Sequence, residues 1–204
     1  MSINESKTCR KQQKHGRLLV KILRHNPESV GVNLDDEGYA PLDTILTHHK
    51  FAGVTIEQVQ QIVQNCDKQR MHMKQDANGN WLIRANQGHS VKKTFTNLLD
   101  KITVPCSCVH GTNLAAWKNI KKSGLNRMRR QYIHMADAPT GVVSGPGWRA
   151  TSKDSVIIHI DMAKAMASGL EFSRSKNGVI CCVGPIPSTF FSKVEDVNGN
   201  DLLS

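Results

Sequence analysis

The sequence predicts an α+β fold in two parts: an N-terminal lobe of helices closed by a β-hairpin, then a C-terminal mixed α/β lobe. Three observations carry this. Three helical segments are legible before residue 65. Two alternating segments then flank the turn-rich Asp76-Ala77-Asn78-Gly79-Asn80, which is the signature of a hairpin. Beyond Pro105, short strands alternate with one or two helices.

Residues 1–9 are polar and are expected to form a loose tail. From Arg10 to His25, Leu18, Leu19, Ile22 and Leu23 fall on one helix face, and Pro27 stops that helix after Arg24, His25 and Asn26. Asp35-Asp36-Glu37-Gly38-Tyr39 reads as a turn into a short extended piece. Pro41 opens a second helix running to Leu46, as proline near a helix start allows. Thr55 caps a third, with Glu57 close behind and Ile56, Val59, Ile62 and Val63 as its apolar face. Arg70 then leads into the hairpin, whose second strand is Trp81-Leu82-Ile83-Arg84. Three helices followed by a hairpin is the order of a winged-helix module, often found near nucleic acid. The polar run Asn86-Gln87-Gly88-His89-Ser90 fits poorly as core and is expected to line the junction of two lobes, residues 1–90 and 91–204.

Val91 to Pro105 is expected to connect the lobes, with room for a short helix. Cys108 to Thr112 reads as a strand end followed by a tight turn. Leu114 to Ser123 reads as a helix burying Trp117 and Ile120, with Gly124 as its stop. Tyr132 to Met135 is a strand, and residues 140–151 form a Gly/Pro-rich loop. Ser155 to Ile160 is a strand, Met162 to Ala167 a turn or two of helix, and Gly178 to Val183 a strong strand. Phe190 to Val197 is the last extended segment.

Composition narrows the function classes. The 204 residues carry 27 Lys and Arg against 17 Asp and Glu, a net charge of +10, which points to a polyanionic partner because neutralising phosphates releases counterions. There is no apolar run of about 18 residues to span a membrane, and no apolar signal core at the start. The six cysteines, in a chain of this length, read as reduced thiols of a cytoplasmic or nuclear protein. No Cys-x-x-Cys pair marks a zinc site. A dinucleotide Gly-x-Gly-x-x-Gly after a strand, a P-loop, His-Glu-x-x-His and Gly-x-Ser-x-Gly are all absent.

Four basic residues stand out as chemistry. Arg24 and His25 end the first helix, Arg70 begins the hairpin, and Arg130 closes Asn126-Arg127-Met128-Arg129-Arg130. A guanidinium is a planar fork that meets phosphate oxygens in pairs and keeps its charge at working pH. A neighbouring histidine can donate to a phosphate or move a proton. His110-Gly111-Thr112 offers imidazole, close backbone approach and hydroxyl to a ribose or diphosphate. His134 sits on a strand, and Asn177-Gly178 is ordinary turn chemistry before an apolar strand.

From about residue 14 to 195 the chain resembles the NAD-dependent tRNA (RNA) 2′-phosphotransferase family. The resemblance lies in Leu23-Arg24-His25, Glu37-Gly38-Tyr39, Asp67-Lys68-Gln69-Arg70, Ile83 to Ser90, His110-Gly111-Thr112, Ser123-Gly124-Leu125 with Arg130, Ile133-His134, Ser144-Gly145 and Asn177 to Ile180. Arg84 to Ser90 is its sharpest part. The resemblance implies an N-terminal winged-helix RNA lobe and a C-terminal ADP-ribosyltransferase-like lobe that binds NAD. It implies a substrate RNA carrying an internal 2′-phosphate, as at a tRNA splice junction. A 2′-phosphate oxygen attacks the nicotinamide ribose and nicotinamide leaves; a ribose hydroxyl then attacks phosphorus. The products are RNA with a 2′-hydroxyl and ADP-ribose 1″,2″-cyclic phosphate, formed without a metal.

The resemblance also assigns roles. The catalytic set maps onto Arg24, His25, Arg70 and Arg130, and the NAD contacts onto His110, Gly111, Thr112, His134, Asn177 and Gly178. A monomer is expected. The chain departs from the family pattern at Tyr132 before Ile133-His134, at Asn126 before Arg127-Met128, and at Pro146 to Arg149 after Ser144-Gly145. Arg129 beside Arg130 leaves two registers, of which alignment on Ile133-His134 favours Arg130. Two other functions fit the same residues: ADP-ribosylation of terminal phosphates of RNA or DNA, and RNA binding by a non-catalytic winged helix.

Overall fold

A computed structural model describes residues 3–93, 95, 98–137 and 153–203, with the backbone alone for residues 3–10. The Gly/Pro-rich loop at 140–151, with Ser144-Gly145 and Pro146 to Arg149, lies outside the described residues. The chain is mixed α/β and divides into two compact units, Met1–Leu98 and Leu99–Ser204.

The first unit opens with α1 (Ile3–His25), so the expected loose tail is helical from residue 3 onward. Leu19, Ile22 and Leu23 are buried along one face of α1, as their spacing requires. Pro27 cannot continue the helix and begins a short 3₁₀ turn, Pro27–Val30. Asp35 Oδ1 then accepts from the Glu37 and Tyr39 amides at 2.9 and 2.7 Å, which turns the chain into β1 (Tyr39–Pro41). Next come α2 (Leu42–Leu46) and α3 (Ile56–Gln64). Thr55 caps α3 as expected, and Gln58 completes the cap. Thr55 Oγ1 accepts from the Gln58 amide and the Gln58 side chain accepts from the Thr55 amide, a reciprocal capping box.

The hairpin forms between β2 (Met71–Gln75) and β3 (Trp81–Ala85). Asp76 Oδ1 gathers the Asn78 and Asn80 amides at its tip. β1 joins the other edge of β3, giving a three-stranded antiparallel sheet in the order β1-β3-β2. Leu42, Ile45, Phe51, Val59 and Ile83 bury their side chains completely or nearly so, each worth about 1.5–3 kcal/mol.

The second unit holds two antiparallel sheets. One has the order β10-β7-β5, from β5 (Val109–Asn113), β7 (Ser155–Ile160) and β10 (Phe191–Asp196). The other has the order β4-β8-β9-β6, from β4 (Leu99–Lys101), β6 (Ile133–Met135), β8 (Phe172–Ser175) and β9 (Ile180–Cys182). Ile158 and Val194 of the first sheet share one core with Met135, Phe172 and Ile180 of the second. Two helices complete the unit, α4 (Leu114–Ser123) and α5 (Met162–Ala167).

Two expectations change here. The segment after Val91 supplies a strand, β4, and no helix among its described residues. His110-Gly111-Thr112 is not a turn: all three residues lie inside β5, where Gly111 pairs with Ile157. Gly124 does end α4, and only glycine fits. Its φ is +72°, and a Cβ there would meet the Ile186 carbonyl oxygen at 2.4 Å. Cys66, Cys106, Cys108, Cys181 and Cys182 are free thiols, and burial pushes Cys181 up to about 12.

Candidate active site

In the first unit the polar run after β3 folds back onto the end of α1. The Ser90 amide donates to the Arg24 carbonyl at 2.9 Å, satisfying one of the carbonyls that a helix end leaves open. The Ser90 hydroxyl hydrogen-bonds His25 Nδ1 at 2.8 Å. Gly88, at φ +88°, lies directly under the Arg24 guanidinium. A Cβ on it would stand 3.2 Å from Arg24 Cζ and Nε, so glycine makes room for this side chain.

His89 is 3% exposed and packs against Phe95, with ring centroids 4.5 Å apart and the rings tilted at 51°. Burial, then the charges of Arg24, His25 and Arg84, push its imidazole down to about 3, so it is neutral at physiological pH. Asn86, Gly88 and His89 thus pack inside the fold, against the expectation that the run fits poorly as core, while Gln87 is half-buried and Ser90 exposed. Asn86 and His89 are as buried as the apolar residues around them.

Asn86 steadies the segment that carries Arg70. Its amide donates to the Arg70 carbonyl at 3.0 Å and its Nδ2 to the Gln69 carbonyl at 2.6 Å, across a Gln69 held at φ +40°. The Arg70 guanidinium reaches Cys66 Sγ at 3.5 Å. Arg84 is buried, donates to the Glu37 carbonyl at 3.1 Å and lies 4.7 Å from the Tyr39 ring centre. Asn86, Gly88, Ser90 and Arg84 thus have individual supporting parts that sequence reasoning did not assign. Their signal was a polar, glycine-containing run following directly on a hydrophobic strand.

In the second unit, Arg130, His110, Gly111, Thr112 and His134 line one cavity of about 560 Å³. The protonation states follow from the hydrogen bonds. Arg130 Nη1 lies 3.0 Å from His134 Nδ1, and since a guanidinium only donates, that nitrogen accepts and the His134 proton sits on Nε2. His110 Nδ1 lies 2.9 Å from the His134 carbonyl, so it donates and Nε2 is left as an acceptor. Burial lowers the His110 pKa, Arg130 lowers it further, and the bond to the His134 carbonyl opposes both. Burial also lowers Arg130.

Arg129 is exposed, whereas Arg130 is half-buried and tied to His134. Asn177 and Gly178 are not among the residues lining this cavity. They turn β8 into β9: Asn177 Oδ1 accepts from Ser175 Oγ at 2.8 Å, and Gly178 takes φ +82°. Among the described residues, no group of three or more His, Cys, Asp or Glu gathers as metal ligands do. No described helix is long and apolar enough to cross a membrane.

Cationic forks held by buried polar residues, with neutral imidazoles beside a cavity of small-molecule size, define a two-unit α/β protein suited to phosphate-bearing ligands. The profile of the family described as RNA 2′-phosphotransferase, Tpt1 / KptA family, matches residues 10–184. A protein of Schizosaccharomyces pombe, provisionally called a tRNA 2′-phosphotransferase, is 39% identical over 196 residues, covering 93% of this chain and 53% of its own length. The chain therefore spans about half of that relative. The tRNA 2′-phosphotransferase 1 of Danio rerio is 32% identical over 186 residues, covering 85% of this chain and 81% of that protein. Its Homo sapiens counterpart is 36% identical over 175 residues, covering 82% and 68%. This chain belongs to the RNA 2′-phosphotransferase (Tpt1 / KptA) family.

Proposed function

We propose that the protein removes an internal 2′-phosphate from RNA, of the tRNA splice-junction kind, by transferring it to NAD. The products are RNA with a 2′-hydroxyl, nicotinamide and ADP-ribose 1″,2″-cyclic phosphate. The observation that carries this reading is the cavity in which Arg130 shares walls with His110, Gly111, Thr112 and His134, in a member of this family. We read the first unit as a winged-helix RNA lobe and the second as an ADP-ribosyltransferase-like lobe. Support comes from the helices and hairpin of the one and the two antiparallel sheets sharing a core in the other.

The donor set fits a dinucleotide. A cavity of about 560 Å³ is of the size that small-molecule sites have. The His110 Nε2 acceptor suits a ribose hydroxyl, the Thr112 hydroxyl can donate or accept, and Arg130 suits phosphate oxygens. When bound, NAD supplies the ribose carbon that accepts the phosphate and the hydroxyl that closes on phosphorus. Asn177 and Gly178, whose turn shapes the strand pair beside β6, contact NAD only at its margin in this reading.

The chain's own residues then do two things. By the family resemblance, Arg24, Arg70 and Arg130 are the guanidinium groups assigned to the 2′-phosphate, and holding it in line is most of the work when the leaving group departs neutral. The same guanidinium groups meet negative charge as it builds on the phosphoryl oxygens. His25, anchored through Nδ1 to Ser90, hydrogen-bonds the phosphate and moves a proton through its other nitrogen. The test is to incubate the protein and NAD with RNA bearing one labelled internal 2′-phosphate. Label is expected in ADP-ribose cyclic phosphate. Label remaining on the RNA, or a stable ADP-ribosylated RNA as sole product, overturns the reading.

A further inference from the structure

A second basic feature of the first unit runs back along α1 from Arg24, through residues that take no part in the transfer chemistry described above. On α1, Lys14, Arg17, Lys21 and Arg24 recur at spacings of three and four, so they share one face, opposite buried Leu19 and Ile22. Lys14, Arg17 and Lys21 are exposed and make no ion pair among the described residues. The helix carries no Asp or Glu from Lys11 to its end.

Beside this face lies a groove of about 620 Å³ between α1 and the segment from α3 to β2. Arg17 and Val20 line it from α1, with Ile62, Asn65, Asp67 and Arg70 across from them. Two guanidinium groups therefore face one polar groove against one carboxylate. Arg17 precedes Arg24 by seven residues, nearly two full turns, which places it about 10 Å back along the same face. That is the scale of one to two nucleotides along a single strand.

We propose that this groove binds the RNA backbone flanking the 2′-phosphate, and that Arg17 is the residue gripping the adjoining phosphodiester. The proposal rests on the RNA reading above and deepens it. The 2′-phosphate is the reacting group, held by the catalytic set. The phosphodiester beside it, present in every RNA, is read by Arg17 with help from Lys14 and Lys21. Such a contact positions the strand without reading bases, so the groove should take any single-stranded sequence.

The test is fluorescence anisotropy with a short labelled single-stranded RNA, with and without one internal 2′-phosphate, over a salt series. Arg17→Ala should weaken binding of both RNAs about 5–10-fold, and flatten the plot of log affinity against log salt by about 0.7, the share of one phosphate contact on a single strand. Arg17→Lys, which keeps the charge, should recover most of the affinity. Lys50→Ala is the charge control. Lys50 adjoins Phe51, whose ring packs on His15 at 5.9 Å, on the side of α1 away from the stripe. It should bind as the unaltered protein does.

If Arg17→Ala binds both RNAs normally, or loses affinity only for the RNA with the 2′-phosphate, the groove is not a backbone site. Failure of the transfer reading looks different. The unaltered protein would then leave the 2′-phosphate in place with NAD, while Arg17→Ala still weakens RNA binding.

Discussion

Gly88 shows how a residue with no chemistry of its own can decide where a charged side chain stands. It takes φ +88° and has the Arg24 guanidinium packed on it. Gly88→Ala should therefore act twice. The backbone strain should cost about 1–2 kcal/mol of stability. The new methyl, 3.2 Å from the guanidinium carbon, should also displace Arg24. Phosphate release should fall about tenfold, equivalent to about 1.4 kcal/mol of transition-state stabilisation. Steady-state kinetics on the folded fraction, beside a thermal melt, checks both effects. Arg24, His25, Arg70 and Arg130 were singled out in the sequence because their chemistry is explicit. Gly88 and Asn86 were not, because their work is done through backbone approach and backbone carbonyls. Such contacts join residues far apart in the chain, as Ser90 joins His25 and Asn86 joins Gln69, and no local spacing encodes them.

At the scale of elements, α3 is held by a device that the sequence half disclosed. Thr55 reads as a cap, but the residue that reciprocates it was not singled out. The capping box settles on Gln58. Thr55→Ala should cost about 1 kcal/mol, seen as a lower urea midpoint at unchanged slope. Gln58→Ala should cost less, and the double variant less than the sum, because the two bonds share one turn. Two other elements escaped sequence reading for identifiable reasons. The strand Phe172–Ser175 has one large apolar residue in four, yet it is paired on both sides, with β4 and with β9. Tertiary pairing makes that strand, not propensity. His110-Gly111-Thr112 suggests a turn by composition. In the structure Gly111 is an interior strand residue, and the ladder with β7 supplies the conformation. That difference bears on function: a strand holds His110 and Thr112 at fixed registers beside Arg130, as a preorganised site needs.

For the molecule as a whole, net charge and buried histidine pull pH dependence in one direction. The chain carries +10 with its histidines neutral, so each proton added on acidification increases self-repulsion. His89 adds a specific contribution whose sign follows from its burial. Unfolded, it takes a proton near its ordinary 6.5; folded, it resists down to about 3. Between those values the unfolded chain holds one more proton than the folded one. His89 therefore leaves stability untouched above 6.5 and erodes it as pH falls toward 3, by about 1.4 kcal/mol per pH unit. From pH 7 to pH 5 that amounts to about 2 kcal/mol. His89→Gln keeps a polar side chain of similar reach without the titration. It should be less stable than the unaltered protein at pH 7, since it gives up the ring contact with Phe95, but its stability should fall by about 2 kcal/mol less between pH 7 and 5. Hydrogen exchange at the Ile83 amide, in the central strand of the first unit's sheet, reads that unit directly. An equal pH slope in the two proteins would mean that His89 is protonated in the fold, and that the cation beside Arg24 is tolerated by some other compensation.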